Sequence, residues 1–223
     1  MPSITSFELR PGVPDQIADY LQSLIVRGEL APGERIAEAR VTQALGVSRG
    51  PVREALRVLS ARHLVDMTPR RGARVTAFGP DDVRGLYDMQ IALLSLLATR
   101  VAERLDEPLR AALGRHRDAV AGAVQDGDTL ALLACTTAFA HDASELIGNV
   151  YLRDTMDRLA PAFSRAHYRA LASAPNELAV LAGFVDDLMQ AVSDGTPARI
   201  EQTVRRYGER QMNVVLASYG EAE

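Results

Sequence analysis

Residues Glu38 to Arg57 read E-A-R-V-T-Q-A-L-G-V-S-R-G-P-V-R-E-A-L-R. Apolar residues recur at helical spacing on both sides of Gly46, which predicts two short helices around a tight turn. The first spans Glu38 to Leu45. The second starts after Ser48, a good N-cap, and reaches about Ala61, with Pro51 in its first turn where a missing N–H is tolerated. Ala44, Leu45, Val47, Val52, Ala55, Leu56 and Leu59 are expected to form the core these helices share.

That arrangement is a helix-turn-helix, and it places Ser48, Arg49, Gly50 and Arg53 at the start of the second helix. There such a motif presents side chains to base edges in the major groove. An arginine can grip guanine O6 and N7 with two N–H groups, or hold a phosphate; Ser48 and the first-turn amides suit a phosphate.

Working outward, Asp15 to Arg27 carries Ile17, Tyr20, Leu21, Leu24 and Ile25 at helical spacing, and the turn A-P-G-E at Ala31–Glu34 follows. Beyond the pair, Leu64–Thr68 and Ala73–Ala77 flank P-R-R-G and predict a hairpin. Its tip, with Arg70, Arg71 and Arg74 around Gly72, is expected to be a basic wing. After Phe78-Gly79-Pro80 the strand signals stop. Helices are expected near 81–105, 108–125, 128–147, 149–172, 175–194 and 196–219, started by Asp128, Asn149 and Thr196. Pro161 is predicted to kink or split the fourth of these. The fold class is therefore mostly α: a winged helix-turn-helix over 1–77, a linker at 78–80, and an all-helical bundle over 81–223.

Composition agrees with two units of different character. The 223-residue chain carries a formal charge of −4, with all 25 basic residues arginine. Residues 1–77 hold 11 Arg against 8 acids, whereas residues 78–223 hold 14 against 21. A small basic module joined to an acidic body suits a nucleic-acid binder better than a uniformly charged chain does. One cysteine, Cys135, excludes an internal disulfide framework and a multi-cysteine zinc site. No apolar run approaches the roughly 20 residues that span a bilayer, and Met1 to Phe7 lacks a secretory pattern, so a cytoplasmic protein without a membrane partner is expected.

Three motifs, R-G-E-L-A-P-G-E-R-I, S-R-G-P-V-R-E-A-L-R-V-L and P-R-R-G-A-R-V, occur in this order. Together they resemble the winged helix of GntR-family bacterial transcription regulators over about residues 12–77. The resemblance implies DNA contacts by Arg35, Ser48, Arg49, Gly50, Arg53 and Gly72, and Arg71 of the basic wing is expected to join them. Gly50 departs from the pattern, since threonine is common there. The helical remainder resembles the ligand-sensing (FCD-type) domain of the FadR subfamily, in its shorter, VanR-like group.

Many domains of that kind hold a divalent metal through one Asp and three His. Aligned on Phe139 and Asn149, those four positions carry Thr136, Ala140, Val185 and Tyr207. Ala and Val offer no donor, and Thr and neutral Tyr are poor ones. An arginine common on the first helix is replaced by Gln90. His141 lies one residue from a ligand position, a rotation of about 100° on a helix. The expectation is a pocket with no metal or other cofactor, lined by Met89, Gln90, Leu93, Thr136, Ala140, Val185, Met189 and Tyr207. His116, His141 and His167 are read as surface or satisfied, partly buried residues.

The partners expected are a double-stranded DNA operator, a second copy of the chain, and a small-molecule effector. A regulator that has lost sensing is the alternative. Catalysis through Cys135 and His141 is disfavoured, because six helical residues separate them by about 9 Å along the axis. No nucleophile elbow, phosphate loop or dinucleotide fingerprint occurs.

Overall fold

A computed structural model describes residues 12–68, 72–173 and 176–220. The chain divides into two compact units, Met1–Ala77 and Phe78–Glu223.

In the first unit, α1 (Val13–Val26) is followed by β1 (Arg35–Ile36), α2 (Glu38–Leu45), α3 (Arg49–Ala61), β2 (Val65–Thr68) and β3 (Gly72–Val75). The strands form an antiparallel sheet in the order β1-β3-β2. Ile17, Leu21 and Ile25 recur along one face of α1 and meet Val52, Leu56 and Leu59 of α3, so α1 lies against α3 over a dry core. Alternation does the same for the sheet: Ala73 and Val75 point inward while Gly72 and Arg74 stay exposed.

The turn between α2 and α3 depends on Gly46, whose φ of +65° lies in the left-handed region that closes a helix without a Cβ clash. Leu45 and Val47 pack on the core as partly buried residues. Ala44, expected in the core, is exposed instead. It follows Gln43 on the outer side of α2, whose inner face is taken by Val41 and Leu45. The short β1 carried no local signal; it exists because Arg35 and Ile36 pair with Arg74 and Ala73.

The second unit contains α4 (Pro80–Arg104), α5 (Glu107–Asp126), α6 (Thr129–Leu146), α7 (Val150–Ser173), α8 (Asn176–Ser193) and α9 (Pro197–Gly220). Pro80, read as linker, is the first residue of α4. Asp106 and Asp128 cap α5 and α6 by accepting from the amides of Leu109 and Ala131 at 3.2 and 2.9 Å. Asn149 accepts from Leu152 N at 3.0 Å before α7. Thr196 instead turns its hydroxyl back toward the Asp194 carbonyl. Helix α7 is not split: it continues through Pro161, held along its length by α6 and α9.

Helices α4 and α9 pack closely where α9 has Gly208. A Cβ there would lie 2.5 Å from Ile91 Cγ1 and 2.8 Å from Cδ1. Beside this contact stand Gln90 and Tyr207, so the missing methyl sets the distance between two walls of the site described next.

Candidate nucleic-acid interface and ligand cavity

In the first unit, Ser48, Arg49, Gly50 and Arg53 are all exposed at the start of α3. Ser48 holds the N-cap with extended backbone, but its hydroxyl makes no capping hydrogen bond. The third helical residue is Pro51, which has no N–H to donate to it. Arg53 pairs through Nε with both carboxylate oxygens of Glu38, at 2.9 and 3.2 Å, and its side chain remains 60% exposed. The pair ties Arg53 to the first residue of α2. It fixes the direction of the side chain more than it stabilises the fold, because exposed pairs contribute little.

Arg35 stands on β1 directly opposite Arg74 on β3. Two like charges facing each other across a strand pair repel, and a phosphate would relieve that repulsion. Gly72 opens β3 at φ +85°, and a Cβ placed on it would lie 4.0 Å from Arg35 Nε. Arg74, expected at the wing tip, folds back, and its Nη1 donates to the Gly33 carbonyl at 2.8 Å. It thereby braces the turn before β1. Arg70 and Arg71 lie outside the described residues.

The second unit holds a cavity of about 150 Å³ to which all six helices contribute. Of the expected lining residues, Gln90, Leu93, Thr136, Ala140, Val185, Met189 and Tyr207 face it. Met89 does not, being 44% exposed. It neighbours Gln90, and two consecutive helical residues point about 100° apart, so only one faces inward.

The four positions matched by spacing to metal ligands, Thr136, Ala140, Val185 and Tyr207, thus surround one space. Their chemistry does not fit a divalent metal. Ala140 and Val185 have no donor atom. Thr136 Oγ1 donates to the Leu133 carbonyl at 2.9 Å. The Tyr207 ring stacks on Phe184 at 3.9 Å, and burial, reinforced by the Glu177 charge, pushes its hydroxyl pKa up, keeping it protonated. Among the described residues no three His, Cys, Asp or Glu side chains converge as a metal site would require.

Sequence reasoning missed the role of two histidines. His116 lies on the cavity wall, stacks on Phe139 at 4.3 Å and hydrogen-bonds the backbone of Cys135. His167 is not the satisfied residue expected. It is 6% exposed, one ring nitrogen bonds the Phe163 backbone, and the other, Nε2, is buried without a partner. Burial lowers both imidazoles to a pKa of about 4, so both are neutral near pH 7. The Gln90 Oε1 is a second buried, unpartnered acceptor on the same wall. A single histidine among the arginines and alanines of α5 or α7 gives no signal of this in sequence. His141, by contrast, is half exposed and bonds Asp157 at 2.9 Å.

Behind the cavity, the buried Glu177 at the start of α8 accepts from both Nη atoms of Arg210 and, at 3.0 Å, from Gln211 Nε2. The Arg210 hydrogen bond holds the Glu177 carboxyl below its ordinary range.

Residues 14–75 match the model for bacterial regulatory proteins of the gntR family, and residues 85–210 match the FCD domain. The chain is 32% identical over 112 residues to the HTH-type transcriptional regulator YdhC of Bacillus subtilis, covering half of each chain. It is 31% identical over 85 residues to the HTH-type transcriptional repressor GlaR of Escherichia coli, covering 36% of this chain and 39% of that one. The chain therefore spans about half the length, or less, of these curated relatives. The fold is shared with E. coli McbR/YncC, at a TM-score of 0.78 and 19% identity over 94% of this chain and all of that one. A GntR regulator from Rhodococcus sp. RHA1 shares it at 0.73 and 19%, over 92% and 97% of the two chains. No helix among the described residues is long and apolar enough to cross a membrane. An arginine-tipped helix-turn-helix ahead of a six-helix unit, matched by these two family models, makes the chain a transcriptional regulator of the GntR family with an FCD effector-binding domain.

Proposed function

We propose that the protein is a repressor that binds a palindromic operator as a homodimer and that a small molecule in the helical cavity sets its operator affinity. The observation that carries this reading is the pairing of two features in one chain: the exposed cluster Ser48, Arg49, Gly50 and Arg53, and a largely apolar cavity with unpartnered polar atoms. Arg49 and Arg53 read base edges; Arg35, Ser48, Arg71 and Gly72 hold the backbone. One module grips few base pairs, and its phosphate contacts weaken steeply with salt. Joining two copies makes the second contact effectively intramolecular and raises affinity without a new contact type.

A face of α4 supports the homodimer. Gly85, Met89, Ala92 and Leu96 recur at helical spacing and are all exposed, with Met89 and Leu96 among the large apolar residues open to solvent. A ligand bound in the cavity releases DNA only as far as it prefers the dimer geometry that mismatches the half-sites. We read the cavity as metal-free; stoichiometric metal in protein purified without chelator would overturn that point. The alternative, a regulator that no longer senses, is disfavoured because side chains have not filled the cavity.

Selecting bound sequences from random DNA tests the whole reading. The expected product is an inverted repeat bound by two chains, with Leu96→Arg giving a monomer of much weaker binding. Recovery of no enriched sequence, or of a single half-site bound by one chain, would overturn it.

A further inference from the structure

We propose that the effector is an uncharged, ring-sized apolar molecule bearing a hydroxyl group, of the phenol or cyclic-alcohol class. The inference rests on the reading of the helical cavity as the effector site.

Size comes first. A cavity of about 150 Å³ is of the volume that holds one benzene-sized ring in a protein core. Apolar side chains dominate its wall, so the body of the ligand is hydrocarbon.

Charge comes next. The ionisable side chains on the wall are His116, Asp157, His167 and Tyr207. Asp157 is engaged by His141 at 2.9 Å and is 38% exposed, facing the outside as much as the cavity. The two histidines are neutral and the tyrosine protonated. No arginine among the described residues lines the space, and the chain has no lysine. A carboxylate would lose its hydration here and gain no counter-charge, which is strongly unfavourable. An ammonium group would find its only carboxylate already shared with His141.

Polarity then specifies the functional group. His167 spends one nitrogen on the Phe163 backbone, and its unpartnered atom is Nε2, so the bonded one is Nδ1. Nδ1 donates to that carbonyl, which leaves Nε2 a bare acceptor. It calls for an N–H or O–H donor. Gln90 presents Oε1 unpartnered, and rotation of the amide would present N–H instead. A hydroxyl suits the pair with the amide so turned, because it donates its one hydrogen to Nε2 and accepts from the Gln90 N–H. A pure hydrocarbon leaves both groups orphaned, a costly state for buried polar atoms.

Four probes test this with the full-length protein: p-cresol, its isostere p-xylene, benzoate and benzylamine, each titrated by calorimetry near pH 7. p-Cresol is expected to bind roughly five- to tenfold tighter than p-xylene, the worth of about one hydrogen bond, with neither ion detectable. Gln90→Met and His167→Phe should each shrink that preference toward unity while p-xylene binding persists. If His167→Phe does not fold, Gln90→Met and the wild-type probe series still decide. Tighter binding of benzoate or benzylamine, or equal binding of p-cresol and p-xylene, would overturn the ligand class while leaving an effector cavity standing. Binding of none of the four would overturn the effector reading itself, and this inference with it.

Discussion

Replacing Gly208 by alanine tests how closely the cavity walls are set. The new methyl would lie 2.5 Å from Ile91 Cγ1 and 2.8 Å from Cδ1, about 1 Å inside normal carbon–carbon contact. Rotating χ2 of Ile91 moves Cδ1 but not Cγ1, and χ1 of a β-branched residue is stiff in a helix. Either Ile91 leaves its rotamer or α4 and α9 separate. Overpacking of this kind costs about 1–3 kcal/mol, and the better helix propensity of alanine returns about 1 kcal/mol. Gly208→Ala should therefore destabilise the helical unit by about 1 kcal/mol. Ile91→Ala alone should cost about 2–4 kcal/mol, because Ile91 is buried in the core. In the double variant the added methyl falls into space Ile91 has left, so the pair should be more stable than the sum predicts by about 1–3 kcal/mol. Urea denaturation of all four proteins, followed by far-ultraviolet circular dichroism, measures that coupling. Additivity within about 0.5 kcal/mol would refute the claim that Gly208 is there to admit Ile91.

Three further outcomes are expected. Arg49→Ala and Arg53→Ala should each weaken operator binding by about 1–3 kcal/mol and relax base preference if they read bases, whereas Arg35→Ala should weaken all sequences alike and flatten the salt dependence; unchanged affinities in gel-shift titrations would remove these residues from the interface. His167 folds with a pKa of about 4 against an ordinary 6.5, so the unfolded chain binds the extra proton and stability falls as pH drops through that window. Between pH 7 and pH 5 this should cost about 2 kcal/mol, and His167→Phe should remove that part of the urea-measured slope. Glu177→Gln should destabilise by about 1–3 kcal/mol at neutral pH, since a neutral amide cannot hold both Arg210 and Gln211 as strongly. The Glu177 carboxyl titrates lower when folded, so the loss should shrink as pH falls through its folded pKa; thermal melts across acid pH check the trend.

Much of the first unit was legible because its signals are local. Gly46 supplies a left-handed cap, Ser48 and Pro51 open the next helix, and the apolar spacing of Val52, Ala55, Leu56 and Leu59 points one face inward. What escaped notice depends on distant partners. β1 has two residues and forms only because β3 presents Arg74 and Ala73 to them. Arg74 looked like part of a basic tip, and only the fold brings the Gly33 carbonyl within its reach. Arg53 shows the same limit: its exposure followed from helical phase, but its pairing with Glu38 needed the angle between α2 and α3.

The helical unit separates the two kinds of information further. The family resemblance, aligned on Phe139 and Asn149, marked Thr136, Ala140, Val185 and Tyr207, and all four line the cavity, since residues matched along helices of the same order fall on the same inner faces. Ala140 and Val185 bring no donor atom to that space, and side chains do not close it. The unpartnered polar atoms on its wall belong to Gln90 and His167, one on α4 and one on α7. Neither residue is unusual in sequence, because an unpartnered acceptor is defined by what fails to surround it. A buried imidazole that stays neutral and bonds on one side only costs stability. Its persistence in an otherwise apolar chamber is most simply accounted for by a partner that arrives from solution. The sensor chemistry of this chain is therefore expected to follow hydrogen bonding to a neutral ligand, where a metal-ligating arrangement would follow charge.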